Sequence, residues 1–333
     1  MIRRLLLLLA AVVAVGLVVY FTRGASMADR SMNTLLARGP FTAPPAAESL
    51  LRTIDVVDLH ADALLWPRDL LKRHDHGHVD LPRLQDGHFA LQVFSVVTKT
   101  PRGINYERNT DETDNITILA IAERYPLRAW FNLYERARWQ GERLKDAVAR
   151  SAARGDSALR LIRSREDLTA LLAARRSGRP VVARMDALGL LIDVAHASPR
   201  LVDDILATTH RPIVVSHGGV QGTCPGPRNL TDDQLRRIAA GGGLVGIGYW
   251  DGAICEPSAA SFARAVVYAI GVAGEDHVAL GSDFDGSTAE PFDASGMGLV
   301  AGALRDAGLT DAQIGKVMGG NALRLLGQLL PGD

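Results

Sequence analysis

Four short apolar runs in this chain end in the same kind of residue. Ile54-Asp55-Val56-Val57 leads into Asp58-Leu59-His60-Ala61-Asp62. The run 190–195 closes on His196, Ile213-Val214-Val215 closes on Ser216-His217, and 278–282 closes on Asp283. Apolar, often β-branched runs of this length, bounded by polar residues, predict buried strands. Further strands are expected at 89–97, 181–183 and 244–249. Helical spacing covers 114–125, 127–153, 165–175, 199–207, 231–240 and 261–272. Two more helices split near Gly308, and a last one spans 321–330. Thr231 and Gln234 are placed for a capping box. Trp130, Tyr134, Ala137 and Gly141 fall near one helix face and read as packing residues. Strand followed by helix, repeated, with strands apolar on both faces, predicts a parallel sheet with crossover helices. Polar residues at the carboxyl ends of the strands fit an α/β fold of the (β/α)8 TIM-barrel type, whose active sites lie at that rim.

The N-terminus breaks this pattern. Arg3-Arg4 precedes seventeen apolar residues, 5–21, and Thr22-Arg23 follows. The run is at the lower limit for a spanning helix and long for the core of a signal peptide. The arginine pair predicts a signal anchor with its N-terminus inside and the remainder exported to a periplasmic or extracellular space. A cleaved signal peptide is the second reading. The chain thus divides into an anchor at 1–24, a linker at 25–50 rich in polar residues and proline, with a short helix near 32–36, and a catalytic-type domain at 51–333.

Composition adds little except by exclusion. Basic and acidic residues balance at 37 each, so no charge excess points to nucleic acid. The chain is long enough to bury one barrel-sized core. Cys224 and Cys255 suit an exported domain with one disulfide, or two buried thiols. The histidine-rich stretch 72–78 reads as a solvated loop.

The chemistry lies at the strand ends. His60 and Asp62 are two apart, so both side chains leave one face of an extended chain. With His196, His217 and Asp283 they form a set of three imidazoles and two carboxylates. Gathered at one barrel mouth, such a set would hold one or two divalent cations, zinc first, and lower the pKa of a bound water. A neighbouring carboxylate could shuttle the proton.

These residues resemble those of the membrane dipeptidase (renal dipeptidase) family, a branch of the metal-dependent amidohydrolase barrels. The matching segments are Asp58-Leu-His-Ala-Asp62, His78-Val-Asp-Leu-Pro-Arg-Leu84, Gln92-x-Phe-Ser95, Leu191-Ile-Asp-Val-Ala-His-Ala-Ser198, Val215-Ser-His217, Arg228-Asn229, Gly281-Ser-Asp-Phe-Asp-Gly286 and Gly320-Asn-Ala-Leu-Arg-Leu325. The resemblance implies that His60, Asp62 and Asp283 ligate one zinc and that Asp283 also transfers protons. It implies that His196 and His217 ligate a second zinc. It assigns Arg228 to the substrate's terminal carboxylate and pairs Cys224 with Cys255. The implied reaction is hydrolysis of dipeptides by metal-activated water. Family members are often dimers, which makes a homodimer an option, although no stretch here specifies an interface.

One segment departs from the family. There a Gly-x-Glu-Gly stretch supplies a glutamate bridging both zincs, and a Leu-Thr-His stretch supplies a histidine that polarises the scissile carbonyl. Both should fall between Val182 and Leu190. Here Pro180-Val-Val-Ala-Arg-Met-Asp-Ala-Leu188 runs straight through, with Asp186 its only carboxylate. The barrel is therefore expected to be incomplete, with strand and helix elements missing near 183–189. One zinc or a weakened pair is expected in place of two, and impaired catalysis. A non-catalytic, membrane-anchored metal-binding descendant is the competing reading.

Overall fold

The strand ends are held in place by a parallel sheet. A computed structural model describes residues 2–155, 158–176, 182–185, 191–209 and 211–330. In chain order the sheet-forming strands are β1 (Val56–Ala61), β2 (Phe89–Phe94), β3 (Leu159–Ile162), β4 (Val182–Met185), β5 (Ile192–Asp193), β6 (Ile213–Gly218), β7 (Leu244–Ile247) and β8 (Val278–Leu280). Six of them form one sheet in the order β2-β1-β8-β7-β6-β5, with every ladder parallel. β3 and β4 pair with each other in parallel, and β4 lies against β2. This is a TIM-barrel-like half-barrel: among the described residues no ladder joins β5 to the β3–β4 pair. The expected gap falls largely on 186–190, which, with Asp186, lies outside the described residues.

Burial on both faces explains why the strands are so apolar. Val56, Val57 and Ala61 on β1, Val245 and Ile247 on β7, and all three residues of β8 are fully buried. The crossover helices close the outer face. Ala259–Ala273 presents Phe262, Val266 and Ala269 to the core, and Met297–Asp306 presents Val300, Ala301 and Leu304. Thr231 and Gln234 form the expected capping box at the start of Asp232–Ala240. The helix expected over 127–153 begins only at Leu133, where Asn132 accepts from the Glu135 amide. Pro126 starts a separate turn, Leu127–Ala129, which breaks the helical run.

Two expectations about side chains are corrected. Tyr134 does not pack; it is 72% exposed. The stretch 72–78 is no solvated loop at its end. His78 is fully buried, its amide donates to Asp285 Oδ1 at 2.7 Å, and its Nδ1 accepts from the Asp285 amide at 2.9 Å.

The apolar N-terminal helix Ile2–Val19 runs through a wider turn, Tyr20–Gly24, into Ala25–Met32. No residue of Ile2–Val19 is buried. Residues 25–50, read as a linker, are helical at Ala25–Met32 and again from Pro45, where Pro45–Leu51 buries Ala47, Leu50 and Leu51. The short helix expected near 32–36 is instead a strand, Thr34–Leu35, paired with Ala289–Glu290. Asp29 is fully buried against Arg68 Nε at 2.8 Å.

Candidate metal centre

β1 brings in the first two candidates. His60 is its penultimate residue and Asp62 follows its end, and His60 Nε2 lies 3.4 Å from Asp62 Oδ1. Beneath them Asp58, almost fully buried, joins three strands. It accepts from the Ser282 amide at 2.7 Å, from Ser282 Oγ at 2.9 Å and from Gln92 Nε2 at 2.5 Å. Those bonds lock the register of β1 against β2 and β8, so the ligands reach the rim at a fixed height. Ser95 Oγ, just past β2, donates to Asp62 Oδ1.

β6 and β8 supply the rest of the cluster. Nε2 of His217 is 4.0 Å from Asp283 Oδ1, and Nε2 of His60 is 3.8 Å from the same oxygen. One donor atom from each of His60, His217 and Asp283 lies within 4.8 Å of the others. Ser216 Oγ sits between Nδ1 of His60 (3.3 Å) and Nδ1 of His217 (3.0 Å), leaving both Nε2 atoms facing the centre. His196, after β5, completes the row with its Nε2 2.8 Å from that of His217. Asp193 ties this end of the sheet together, accepting from the Ala195 and Ser216 amides.

Two of these residues carry backbone strain. His196 has φ 64° and Asp283 φ 58°, in the left-handed region that non-glycine residues seldom adopt. Such strain is characteristic of functional sites, where the surroundings hold a side chain in place against local preference.

Electrostatics suit a cation. Burial alone would lower the pKa of His60, but Asp62 and then Asp283 outweigh it and raise it to about 9. The pocket thus draws positive charge onto itself. Burial pushes the Asp283 carboxyl up, opposed by His60 and reinforced by Asp62. His217, fully buried, is held well below the usual histidine range by loss of solvent and by His60. His196 is exposed as a residue, yet desolvation of its ring and then Arg228 and His60 hold it down to about 4. The imidazoles of His60, His196 and His217 and the carboxylates of Asp62 and Asp283 gather at one point and form a donor set that fits a divalent cation.

Arg228 approaches from the loop after β6. Its guanidinium lies 6.0 Å from the Trp250 ring, and Nη2 is 3.4 Å from the His217 carbonyl oxygen. Asn229 anchors that loop, donating to the Cys224 and Gly252 carbonyls at 2.8 and 3.0 Å. Cys224 and Cys255 are joined by a disulfide, with Cα atoms 5.4 Å apart. Tyr106, which the sequence did not single out, donates to Asp251 Oδ1 at 3.4 Å and packs over Gly252, where a Cβ would collide with its ring.

Imidazoles and carboxylates at the carboxyl rim of a parallel α/β sheet are the layout of the metal-dependent hydrolase barrels. The family model for membrane dipeptidases (peptidase family M19) matches residues 144–330, and the chain belongs to that family. An uncharacterised protein from the pqqA 5′ region of Klebsiella pneumoniae is 35% identical over 159 residues, which is 45% of this chain and 59% of that one. The dipeptidase aclJ of Aspergillus oryzae is 26% identical over 376 aligned positions, covering 96% of this chain and 88% of the relative. That alignment is longer than the 333 residues here, so part of the relative has no counterpart in this chain. Among solved structures, a metallopeptidase from Rhodobacter sphaeroides with a phosphinate mimic of L-Ala-D-Ala shares the fold with a TM-score of 0.61. It is 20% identical, covering 84% of this chain and 99% of that one. The probable dipeptidase PvdM from Pseudomonas aeruginosa has a TM-score of 0.65 and 16% identity, over 86% and 98% of the two chains.

Proposed function

We propose that this chain is a membrane-anchored, zinc-dependent dipeptidase whose domain is exported. The observation that carries the reading is the convergence of His60, His217 and Asp283, with donor atoms within 4.8 Å of each other. His60, Asp62, His196, His217 and Asp283 would hold the metal. The cluster mixes residues from the two expected ligand sets, which supports one ion in place of two. A bound divalent cation supplies electrophilic activation of an amide carbonyl and of water. Asp283, a carboxylate beside the imidazoles of His60 and His217, is suited to take a proton from water and return it to the departing amine. Arg228, beside the cluster, suits a substrate carboxylate because its planar fork matches two oxygens. Tyr106 and Trp250 border the same mouth.

The test uses the full chain purified in detergent. Elemental analysis is expected to find about one zinc per chain, as a single cluster of this kind would hold. A simple dipeptide is expected to be hydrolysed, with turnover lost in His196→Ala. Protein without zinc and without turnover would instead support the non-catalytic descendant, a reading favoured by the missing bridging glutamate.

A further inference from the structure

The segment from Ile118 to Tyr134 exposes an unusual amount of apolar surface. Ile118 is 49% exposed, Leu127 75%, Phe131 79% and Tyr134 72%. Apolar and aromatic side chains exposed together on one segment suit an interaction site. The segment is also held firmly. Arg136, almost fully buried, donates to the Ala129 carbonyl at 2.9 Å, the Thr98 carbonyl at 2.7 Å and Asp114 Oδ2 at 2.6 Å, so the turn presenting Phe131 is fixed from below.

What covers this surface is indicated by its neighbour. Tyr20 and Phe21 end the apolar N-terminal run, and both are bound to this same segment. Tyr20 donates to the Ile118 carbonyl at 2.6 Å, and Arg124 Nη2 donates to the Phe21 carbonyl at 3.0 Å. Past them the helix is secured to the domain by the buried Asp29–Arg68 pair. Aromatic residues at the end of an apolar helix, followed by Arg23, mark the level of lipid headgroups. The exposed residues Ile118, Leu127, Phe131 and Tyr134 flank Arg124 along the chain.

We propose that Ile118, Leu127, Phe131 and Tyr134 lie in the headgroup region of the bilayer that the N-terminal helix enters, so that the domain is docked on the membrane. The inference rests on the anchor reading above. Tyrosine favours that zone because its ring is apolar and its hydroxyl tolerates water, while leucine and phenylalanine side chains bury in the apolar edge of the same layer.

The test places single cysteines in the full chain, labels them with a nitroxide without reducing the Cys224–Cys255 disulfide, and reconstitutes the protein in phosphatidylcholine–phosphatidylglycerol nanodiscs. Phe131→Cys probes the patch. Val12→Cys is the bilayer reference, and Arg200→Cys, 93% exposed at its side chain, is the aqueous one. Docking gives position 131 an oxygen-to-nickel-chelate accessibility ratio several-fold above that of position 200. A ratio at 131 equal to that at 200, with position 12 in lipid, overturns docking and leaves the anchor standing. An aqueous position 12 overturns the anchor and docking together. Spin–spin broadening at 131 that disappears on dilution with unlabelled chain would put a second copy on the patch and also overturn the proposal.

Discussion

Arg228 is the residue whose role can be separated most cleanly from the metal cluster. Its Nη2 lies 3.4 Å from the His217 carbonyl oxygen, beside the cluster and not within it. A charge-assisted hydrogen bond contributes about 1.5–3 kcal/mol, roughly a ten- to hundredfold change in affinity. Arg228→Met should therefore lower kcat/KM for a dipeptide by about that factor, mainly through KM. The corresponding dipeptide amide, which lacks the terminal carboxylate, should be cleaved equally by both forms. An equal loss on both substrates would remove Arg228 from carboxylate recognition. At this scale much of the site could be read in the sequence. His60, Asp62, His196, His217 and Asp283 stand at strand ends, where the apolar run stops and a polar residue follows. Ser216, Ser95 and Asp58 were visible inside the quoted motifs, but nothing in a one-dimensional pattern says that a hydroxyl will bridge two imidazoles. Tyr106 lies in a polar loop with no periodicity, and only the fold brings it to Gly252.

Between elements, the informative contact is that of Glu123 with Arg143. Glu123 follows the helix Asn115–Ala122 and buries its carboxyl against the long helix Leu133–Ala153, with Oε2 3.3 Å from Arg143 Nη1. Its other oxygen is buried with no hydrogen-bond partner among the described residues. Burial raises its pKa to about 8, with Arg143 opposing. The folded chain therefore keeps this proton up to about pH 8, while an unfolded chain gives it up near the ordinary value of about 4.3. Between those limits the native state binds more protons, so stability falls as pH rises. Thermal midpoints in detergent at pH 5 and pH 8 should show this decline, and Glu123→Gln should flatten it. An unchanged slope in the variant would assign the pH dependence elsewhere. The same region shows why helix boundaries were harder to read than strands. Helical spacing from 127 continued through Asn132, and only the local competition of a proline-led turn and an asparagine cap moved the start of the helix to Leu133. The strands were legible because burial on both faces leaves little freedom in their composition. His78 was misread because its neighbours are charged, while its partner, Asp285, lies 207 residues away.

For the whole molecule, the open question is how much the centre does for a sheet that forms only a half-barrel among the described residues. The barrel class was legible from the repeat of strand and helix, and the shortfall from the direct passage through 180–188. The separate pairing of β3 with β4 was not legible, because ladder partners in a parallel sheet are chosen by distant packing. The candidate ligands lie on or just past β1, β6 and β8 and in the turn after β5, so one bound ion would link much of the six-stranded sheet. A ligand that binds only the folded state stabilises it in proportion to the logarithm of its concentration, about 2.7 kcal/mol at a hundred times Kd. Dialysis of the full chain against a chelator should therefore lower the thermal midpoint by several degrees, and added zinc should restore it progressively. Magnesium should not, since it prefers octahedral oxygen ligands and this cluster offers imidazole nitrogen. His217→Ala removes a ligand at the centre of the row, so its midpoint should be insensitive to both chelator and zinc. A midpoint indifferent to chelation in the unmodified chain would mean that the packing of β1, β8, β7 and β6 alone holds the rim in shape, with any cation serving chemistry and not the fold.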